Sequence, residues 1–327
     1  MKKPIQHKAN KLSTLKGFTL VELMVAMGIA IVIMSMLVGI TNVAMGAWQR
    51  SRAEVRASRQ AKAMLDVMAR DFESIVLRSG NINEWLYCKT ETDLPGPDRD
   101  KSTNAAELMF FTSATDRYQG ALGTSKDLGG DVCAVSYKLA FQDPLDASES
   151  PTSTFVFYRQ LVDPKPTFDS LLAKPDLKQA FNAEGGNNRF ETATSNSGST
   201  DSQYEFVCEN VYQYSITFRV DVSDPMSVGS TVKPVRVTLG DAGTANEFRI
   251  YGDRLDTDGT PASGAMSVSN EQLKSGKVTG CEISITVLSD TGINQLKTRT
   301  FIDEKAKAKF LQEHSYEFTK SVDLPGL

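Results

Sequence analysis

The sequence predicts an α+β protein in which a long N-terminal α-helix, transmembrane at first and then amphipathic, is packed on a β-rich head. Three observations lead to this class. An apolar segment occupies residues 18–47, apolar side chains then continue at helical spacing over 48–80, and strand-like runs bounded by Gly, Pro, Asp and Ser fill 81–327. We therefore expect a transmembrane helix, its amphipathic continuation and a head at these boundaries.

The apolar segment is long enough to cross a bilayer. From Phe18 to Ala47 it has no proline, and Glu22 is its only charged residue. At 1.5 Å per residue, such a helix is roughly 45 Å long, against a hydrocarbon core of about 30 Å. A secretory signal peptide has a much shorter apolar region and no reason to contain Glu22. A plain anchor leaves Glu22 unexplained, because a buried carboxylate costs about 2.5–3.5 kcal/mol without a partner.

Residues 16–23, KGFTLVEL, follow a leader that is basic throughout. This arrangement resembles the processing motif of type IV prepilins and type II secretion pseudopilins. The resemblance implies a leader over residues 1–17, cleavage between Gly17 and Phe18, and N-methylation of Phe18 by the same prepilin peptidase. It also implies that Glu22 acts in assembly, by neutralising the terminal amine of an adjacent subunit. Cleavage at this bond would place Glu22 four residues after the new amine, on one helical face.

The family resemblance implies a structural subunit of a type IV pilus or a type II secretion-like filament. Such a subunit crosses the inner membrane once, with a periplasmic pilin-like head, before it enters the filament. Its partners would be other pilins or pseudopilins, the prepilin peptidase/methyltransferase, an inner-membrane assembly platform and the lipid bilayer. Gly39 stands where major pilins often have proline, which favours a minor subunit. Residues 48–78, 209–218 and 278–287 are most similar to the larger J-type minor pseudopilins. The alternative is a membrane-tethered extracytoplasmic binding protein or adhesin that does not polymerise.

The amphipathic continuation is predicted to end near Ser79 and Gly80, where glycine can terminate a helix. Trp48 fits either a membrane interface or a core position. Basic residues follow the apolar segment directly, and by charge alone they compete with the leader for the cytoplasmic side. They are Arg50, Arg52, Arg56, Arg59 and Lys62.

The head is predicted to contain seven strands, over residues 108–112, 132–141, 154–161, 204–222, 235–239, 247–250 and 278–288. Three polar stretches, 91–104, 163–175 and 184–202, have the composition of surface loops or disordered insertions. His314 is predicted to lie in a terminal amphipathic helix that includes residues 310–318.

The four cysteines are far apart in the sequence and form no zinc-binding motif. In an oxidising compartment they could form two disulfides, in any of three pairings. They could equally be buried free thiols. These residues are Cys88, Cys133, Cys208 and Cys281.

Composition and motifs argue against several other functions. The net charge is −4 despite five lysines before residue 17, so we expect no nucleic-acid partner. With only two histidines and no hydrolase, metalloprotease or phosphate-loop motif, we expect no enzymatic activity. We expect no cofactor, although Asp253, Asp256 and Asp258 could bind Ca²⁺ in an irregular loop.

Overall fold

The computed structural model describes residues 17–96, 101–113, 131–144, 152–183, 204–223, 232–241, 245–258 and 270–324. The chain divides into two units, of which the first ends at Arg52 and the second begins at Ala53. The fold is α+β, with a long N-terminal helix and two antiparallel sheets, as predicted.

Helix α1 spans Leu20–Glu73. In the first unit, every described side chain of this helix is exposed. In the second unit, the helix buries one face, whose residues recur every three or four positions, as an amphipathic helix requires. This face includes Ala57, Ala61, Met64, Leu65, Met68 and Phe72.

The prediction that α1 extends to Gly80 was wrong by about two turns. After Glu73 the backbone pairs with the end of a strand instead: Ile75 forms a bridge with Thr112, and the Val76 amide donates to the Phe111 carbonyl at 2.8 Å. Gly80 does have a positive φ of 83°, a conformation that glycine adopts readily. It belongs to a turn after the helix, so a long-range strand partner ended the helix first.

Sheet A has seven antiparallel strands in the order β5-β4-β3-β2-β1-β8-β9. Their bounds are β1 Glu84–Pro95, β2 Lys101–Thr112, β3 Cys133–Gln142, β4 Thr154–Val162, β5 Tyr204–Glu209, β8 Glu247–Tyr251 and β9 Leu255–Thr257. Sheet B has four strands in the order β11-β10-β6-β7. Their bounds are β6 Val211–Ser223, β7 Val232–Leu239, β10 Lys277–Leu288 and β11 Ser315–Asp323.

All seven predicted strands are present, but the run predicted as one strand over 204–222 forms two strands, β5 and β6. The run 204–222 is interrupted at Asn210, whose φ of 61° bends the chain out of sheet A and into sheet B. Asparagine tolerates this left-handed conformation better than most residues. Residues 209–218 and 278–287, whose resemblance to J-type pseudopilins implies paired strands, lie mostly in β6 and β10, which pair with Ile216 opposite Ile283.

Three strands of the structure, β1, β9 and β11, were not predicted. The loop predicted over 91–104 is mostly the facing ends of β1 and β2, although residues 97–100 lie outside the described chain. Strand β9 has only three residues. Strand β11 replaces the end of the predicted terminal helix, because helix α6 stops at His314 and residues 315–323 pair with β10.

Five short helices and one π-helical turn complete the described chain. The helices are α2 Pro164–Pro166, α3 Leu177–Ala183, α4 Asn270–Lys274, α5 Asp290–Thr298 and α6 Glu304–His314, and the π turn is Thr167–Leu171. The predicted loop 163–175 is thus largely helical, and it buries Thr167 and Leu171. The predicted loop 184–202 lies outside the described residues.

The main core of the second unit lies between the two sheets and the buried face of α1. Phe72 is at its centre, stacked on Phe110 of sheet A at 4.4 Å between ring centroids and 6.5 Å from Phe218 of sheet B. A smaller cluster, which includes Trp85, Tyr87 and Phe111, packs with Leu171, Leu177 and Phe181 of the 163–183 segment. Helix α1 thus contacts both sheets, which also contact each other directly, as in the stacking of Phe218 on Phe248 at 4.6 Å.

Candidate functional site

Gly17 and Phe18 precede the first helical residue and are not part of the helix. The Phe18 side chain is 89% exposed. A Cβ added to Gly17 would meet no atom within 4 Å, and its φ is not one that excludes side chains. Nothing in the described part of the chain therefore requires glycine here, and the bond between these residues is accessible.

Thr19 and Glu22 bind each other at the start of α1. The amide and the hydroxyl of Thr19 both donate to Oε2 of Glu22, at 2.9 and 3.0 Å, and the Glu22 amide donates to the Thr19 hydroxyl at 3.3 Å. This reciprocal arrangement is a capping box, which supplies partners for backbone amides that the first helical turn leaves free. The carboxylate also lies at the helix N-terminus, where the dipole favours negative charge.

Thr19, the partner of Glu22, was not among the predicted site residues. The signal was present as Thr-x-x-Glu at residues 19–22, directly before an apolar run. In this structure Glu22 is therefore satisfied within its own chain. A second role, in contact with another molecule, would have to compete with the cap or use the remaining lone pairs of the carboxylate.

The helix after Glu22 presents an uncharged and mostly apolar surface. Residues 23–49 contain no charged side chain, and none of them is buried in the described structure. This is one helix long and apolar enough to span a membrane. Trp48 is 60% exposed, which rules out a core position within the described chain, and the Arg52 guanidinium lies 5.5 Å from its ring centroid.

Three glycines interrupt this apolar surface. Gly28, Gly39 and Gly46 are separated by eleven and seven residues, which at 100° per residue places them on one helix face. A Cβ added at any of them would meet no atom within 4 Å. Within the described chain, no packing contact accounts for the small residues on this face.

A buried ionic network ties α1 to sheet A in the second unit. Arg159 of β4 donates two hydrogen bonds to Asp71 of α1, both at 2.8 Å, and the Tyr137 hydroxyl donates to the same carboxylate at 2.5 Å. All three residues are less than 9% exposed. Burial and the adjacent Asp71 carboxylate raise the pKa of Tyr137 well above its usual range. The bidentate pair satisfies charges that would be costly to bury alone.

A second buried carboxylate lies under the 163–183 segment. Glu84 is fully buried, and its Oε2 accepts the Leu177 amide at 2.5 Å. Its Oε1 lies 3.5 Å from Arg249, which also approaches Glu247 at 3.1 Å and Asp176 at 3.7 Å. One guanidinium is thus shared among three carboxylates. Burial raises the pKa of Glu84 from 4.5 to about 7.

The four cysteines are buried and free, and each lies in a strand: β1, β3, β5 and β10. The structure therefore contains the free-thiol alternative rather than any of the disulfide pairings. Burial raises the pKa of the Cys208 and Cys281 thiols to about 12. These thiols are protonated at neutral pH and act as small core side chains.

The three aspartates considered for Ca²⁺ do not converge. Asp253 pairs with Arg254 at 3.0 Å, Asp256 lies within β9, and Asp258 accepts the Glu247 amide at 2.7 Å. Among the described residues, no group of three or more His, Cys, Asp or Glu could hold a metal ion.

His314 is the last residue of α6, so it lies in a helix near the C-terminus, as predicted. Its ring centroid is 4.7 Å from that of Phe310.

Comparison of the chain with known protein families, with curated proteins and with solved structures gave no match.

Proposed function

We propose that this chain is a prepilin-like structural subunit of the inner membrane, processed at Gly17–Phe18 and assembled into a type IV pilus or a type II secretion-like filament. The observation that carries the proposal is the N-terminal segment. There, an accessible Gly-Phe bond precedes an uncovered helix that is uncharged over residues 23–49 and carries Glu22 in its first turn. The head would be periplasmic, and Phe18 would be N-methylated after cleavage.

Glycine at position 17 supports a processing role. No atom of the described chain lies within 4 Å of a Cβ added at Gly17, so a need for glycine there would come from a molecule outside the described fold. A peptidase that approaches the backbone closely would have that requirement. The exposed Phe18 would then become the new N-terminal residue.

The helix surface supports lateral assembly. An apolar helix with no partner in its own chain is stable in lipid, but it can also pack against copies of itself or of related subunits. The glycine face of residues 28, 39 and 46 would let a second helix approach closely, as small residues do in membrane helix pairs. In such an apolar interior, Glu22 would be neutralised by the amine of a neighbouring Phe18.

The test separates the charge of Glu22 from its capping role. Glu22→Gln keeps a side chain that can complete a capping box but removes the negative charge. Thr19→Val does the reverse, because it removes the capping hydroxyl and leaves the carboxylate. We expect Glu22→Gln to be made and cleaved normally but to be absent from sheared filaments, whereas Thr19→Val is incorporated. Normal incorporation of Glu22→Gln would contradict the proposed role in assembly.

Intact mass and N-terminal sequencing of the purified chain test the processing step separately. We expect a methylated chain that begins at Phe18. A membrane-tethered binding protein that does not polymerise is the alternative, and it would keep Met1 or lose a conventional signal peptide.

A further inference from the structure

A cleft in the second unit lies between three segments that are distant in the sequence. They are the chain after α1 (77–79), the β8–β9 turn (250–255) and the connection from α4 into β10 (274–278). Its volume is about 560 Å³, within the range of small-molecule sites. The buried side chains of Ile250, Leu255 and Val278 contribute apolar surface to its lining.

The cleft is basic, whereas the unit around it is acidic. Four cationic residues line it, against one carboxylate, that of Asp253. From Ala53 to Leu327 the chain has 39 Asp and Glu but only 29 Lys and Arg. The cations are Arg78, Arg254, Lys274 and Lys277.

Among the described residues, three of these cations form no ion pair, and Asp221, which lies opposite Lys277 in the β6–β10 pairing, is not part of the cleft lining. Arg78, Lys274 and Lys277 are exposed, and in the described structure they make no ion pair or hydrogen bond through their side chains. Arg254 is held in place, paired with Asp253 at 3.0 Å and lying 4.2 Å from the Tyr251 ring centroid. The chain segment between β9 and α4, residues 259–269, contains no Asp or Glu that could neutralise the cleft.

Like charges gathered around one concave space repel each other unless an anion lies between them. A single carboxylate would balance one of the three unpaired cations. A phosphomonoester or a diphosphate carries about two or more negative charges and several acceptor oxygens, so it matches the arrangement better. The Tyr251 ring and the apolar lining would accommodate the uncharged part of such a molecule.

We propose that this cleft binds a small soluble ligand that carries a phosphomonoester or diphosphate group. Lys274 and Lys277 contact the phosphate oxygens, and Arg78 and Arg254 complete the cationic lining. This site is separate from the segment on which the proposed function rests, because all of its residues belong to the second unit and none of them lies in the apolar part of α1.

The probe is inorganic pyrophosphate, titrated by calorimetry into the full-length protein in micelles of an uncharged detergent at constant ionic strength. The test variant is the double substitution Lys274→Gln/Lys277→Gln. The control, Lys305→Gln/Lys309→Gln, makes the same change in charge on α6, where both lysines are also exposed. We expect saturable 1:1 binding that weakens about tenfold in the test variant and is unchanged in the control.

Three results would overturn the proposal. The first is the absence of saturable binding by the unaltered protein. The second is an equal loss of binding in the two double variants, which would indicate only a general effect of charge. The third comes from a parallel titration with glycerophosphoglycerol, the singly charged headgroup of phosphatidylglycerol. Tighter binding of that diester than of pyrophosphate would assign the cleft to a lipid headgroup instead of a soluble ligand.

Discussion

The two parts of helix α1 use the same kinds of side chain in opposite ways. In the first unit, Met36 is 63% exposed and Ile40 is 66% exposed, and no described residue of that unit is buried. In the second unit, Met64, Met68 and Phe72 are completely buried against the two sheets. Apolar side chains stabilise a structure through the hydrophobic effect only when they are removed from water. In the second part of α1, the sheets of the same chain remove these side chains from water. In the first part, only lipid or another protein can do so.

The two parts also differ in how they treat charge. The second part of α1 places Asp71 on its buried face, where Arg159 and Tyr137 satisfy it. The first part has one acidic residue, Glu22, which accepts hydrogen bonds from the amide and the hydroxyl of Thr19 at the start of the helix. The difference suggests that the stability of the second unit depends on long-range pairs, while that of the first depends on its surroundings.

The largest effect is expected from breaking the buried ion pair. Arg159→Met leaves the Asp71 carboxylate buried without its bidentate partner, which should reduce the free energy of unfolding by about 3–5 kcal/mol. Chemical denaturation of the full chain in micelles, monitored by the fluorescence of Trp85 in the second unit, measures this change. Trp48 in the first unit is replaced by Phe in every protein compared, so that Trp85 is the only tryptophan. The double variant Asp71→Leu/Arg159→Met should recover much of the loss, since it leaves no unpaired charge. A loss below 1 kcal/mol in the single variant would show that the pair is not essential to helix docking.

Matched methionine substitutions test the comparison directly. Met68→Ala removes a fully buried side chain and should lower the free energy of unfolding of the second unit by about 2–5 kcal/mol. Met36→Ala makes the same chemical change at an exposed position of the same helix and should leave that free energy unchanged. Equal effects of the two variants in the same denaturation experiment would mean that the first part of the helix also contributes to the core.

The last effect, which is spread over a range of pH, is expected from the titration of Glu84. Its pKa is raised to about 7 in the folded protein because of burial, against 4.5 when exposed. The contribution of protonated Glu84 to the free energy of unfolding is thus fully present below pH 4.5. It decreases as the pH rises from 4.5 to 7, by at most about 1.4 kcal/mol per pH unit, and does not change further above pH 7. Glu84→Gln keeps an acceptor for the Leu177 amide but cannot ionise. The difference in unfolding free energy between the two proteins should therefore change between pH 4.5 and 7, and a pH-independent difference would contradict the assignment.

Much of the architecture was predictable because it depends on local periodicity. The predominantly apolar segment 18–47, with Glu22 as its only charge, predicts a helix of membrane length, and spacing of three or four residues predicts the buried face around Met64 and Met68. The strand-like runs 204–222 and 278–288 predict strands where β6 and β10 are present and pair, although the first run also contains β5. The short strand β9 and the charged alternation of β11 were missed because their patterns are weak without a partner strand.

The sequence by itself determined the α+β fold class, the extent of the uncharged helix and the motif around Gly17, Phe18 and Glu22. The tertiary structure decided where α1 ends, because the end of β2 provides hydrogen bonds that compete with the helix after Glu73. It also decided that Asp71 meets Arg159, which is 88 residues away, and that four cations from three separate segments line one cleft. These features depend on which segments become neighbours, and no local pattern of side chains contains that information.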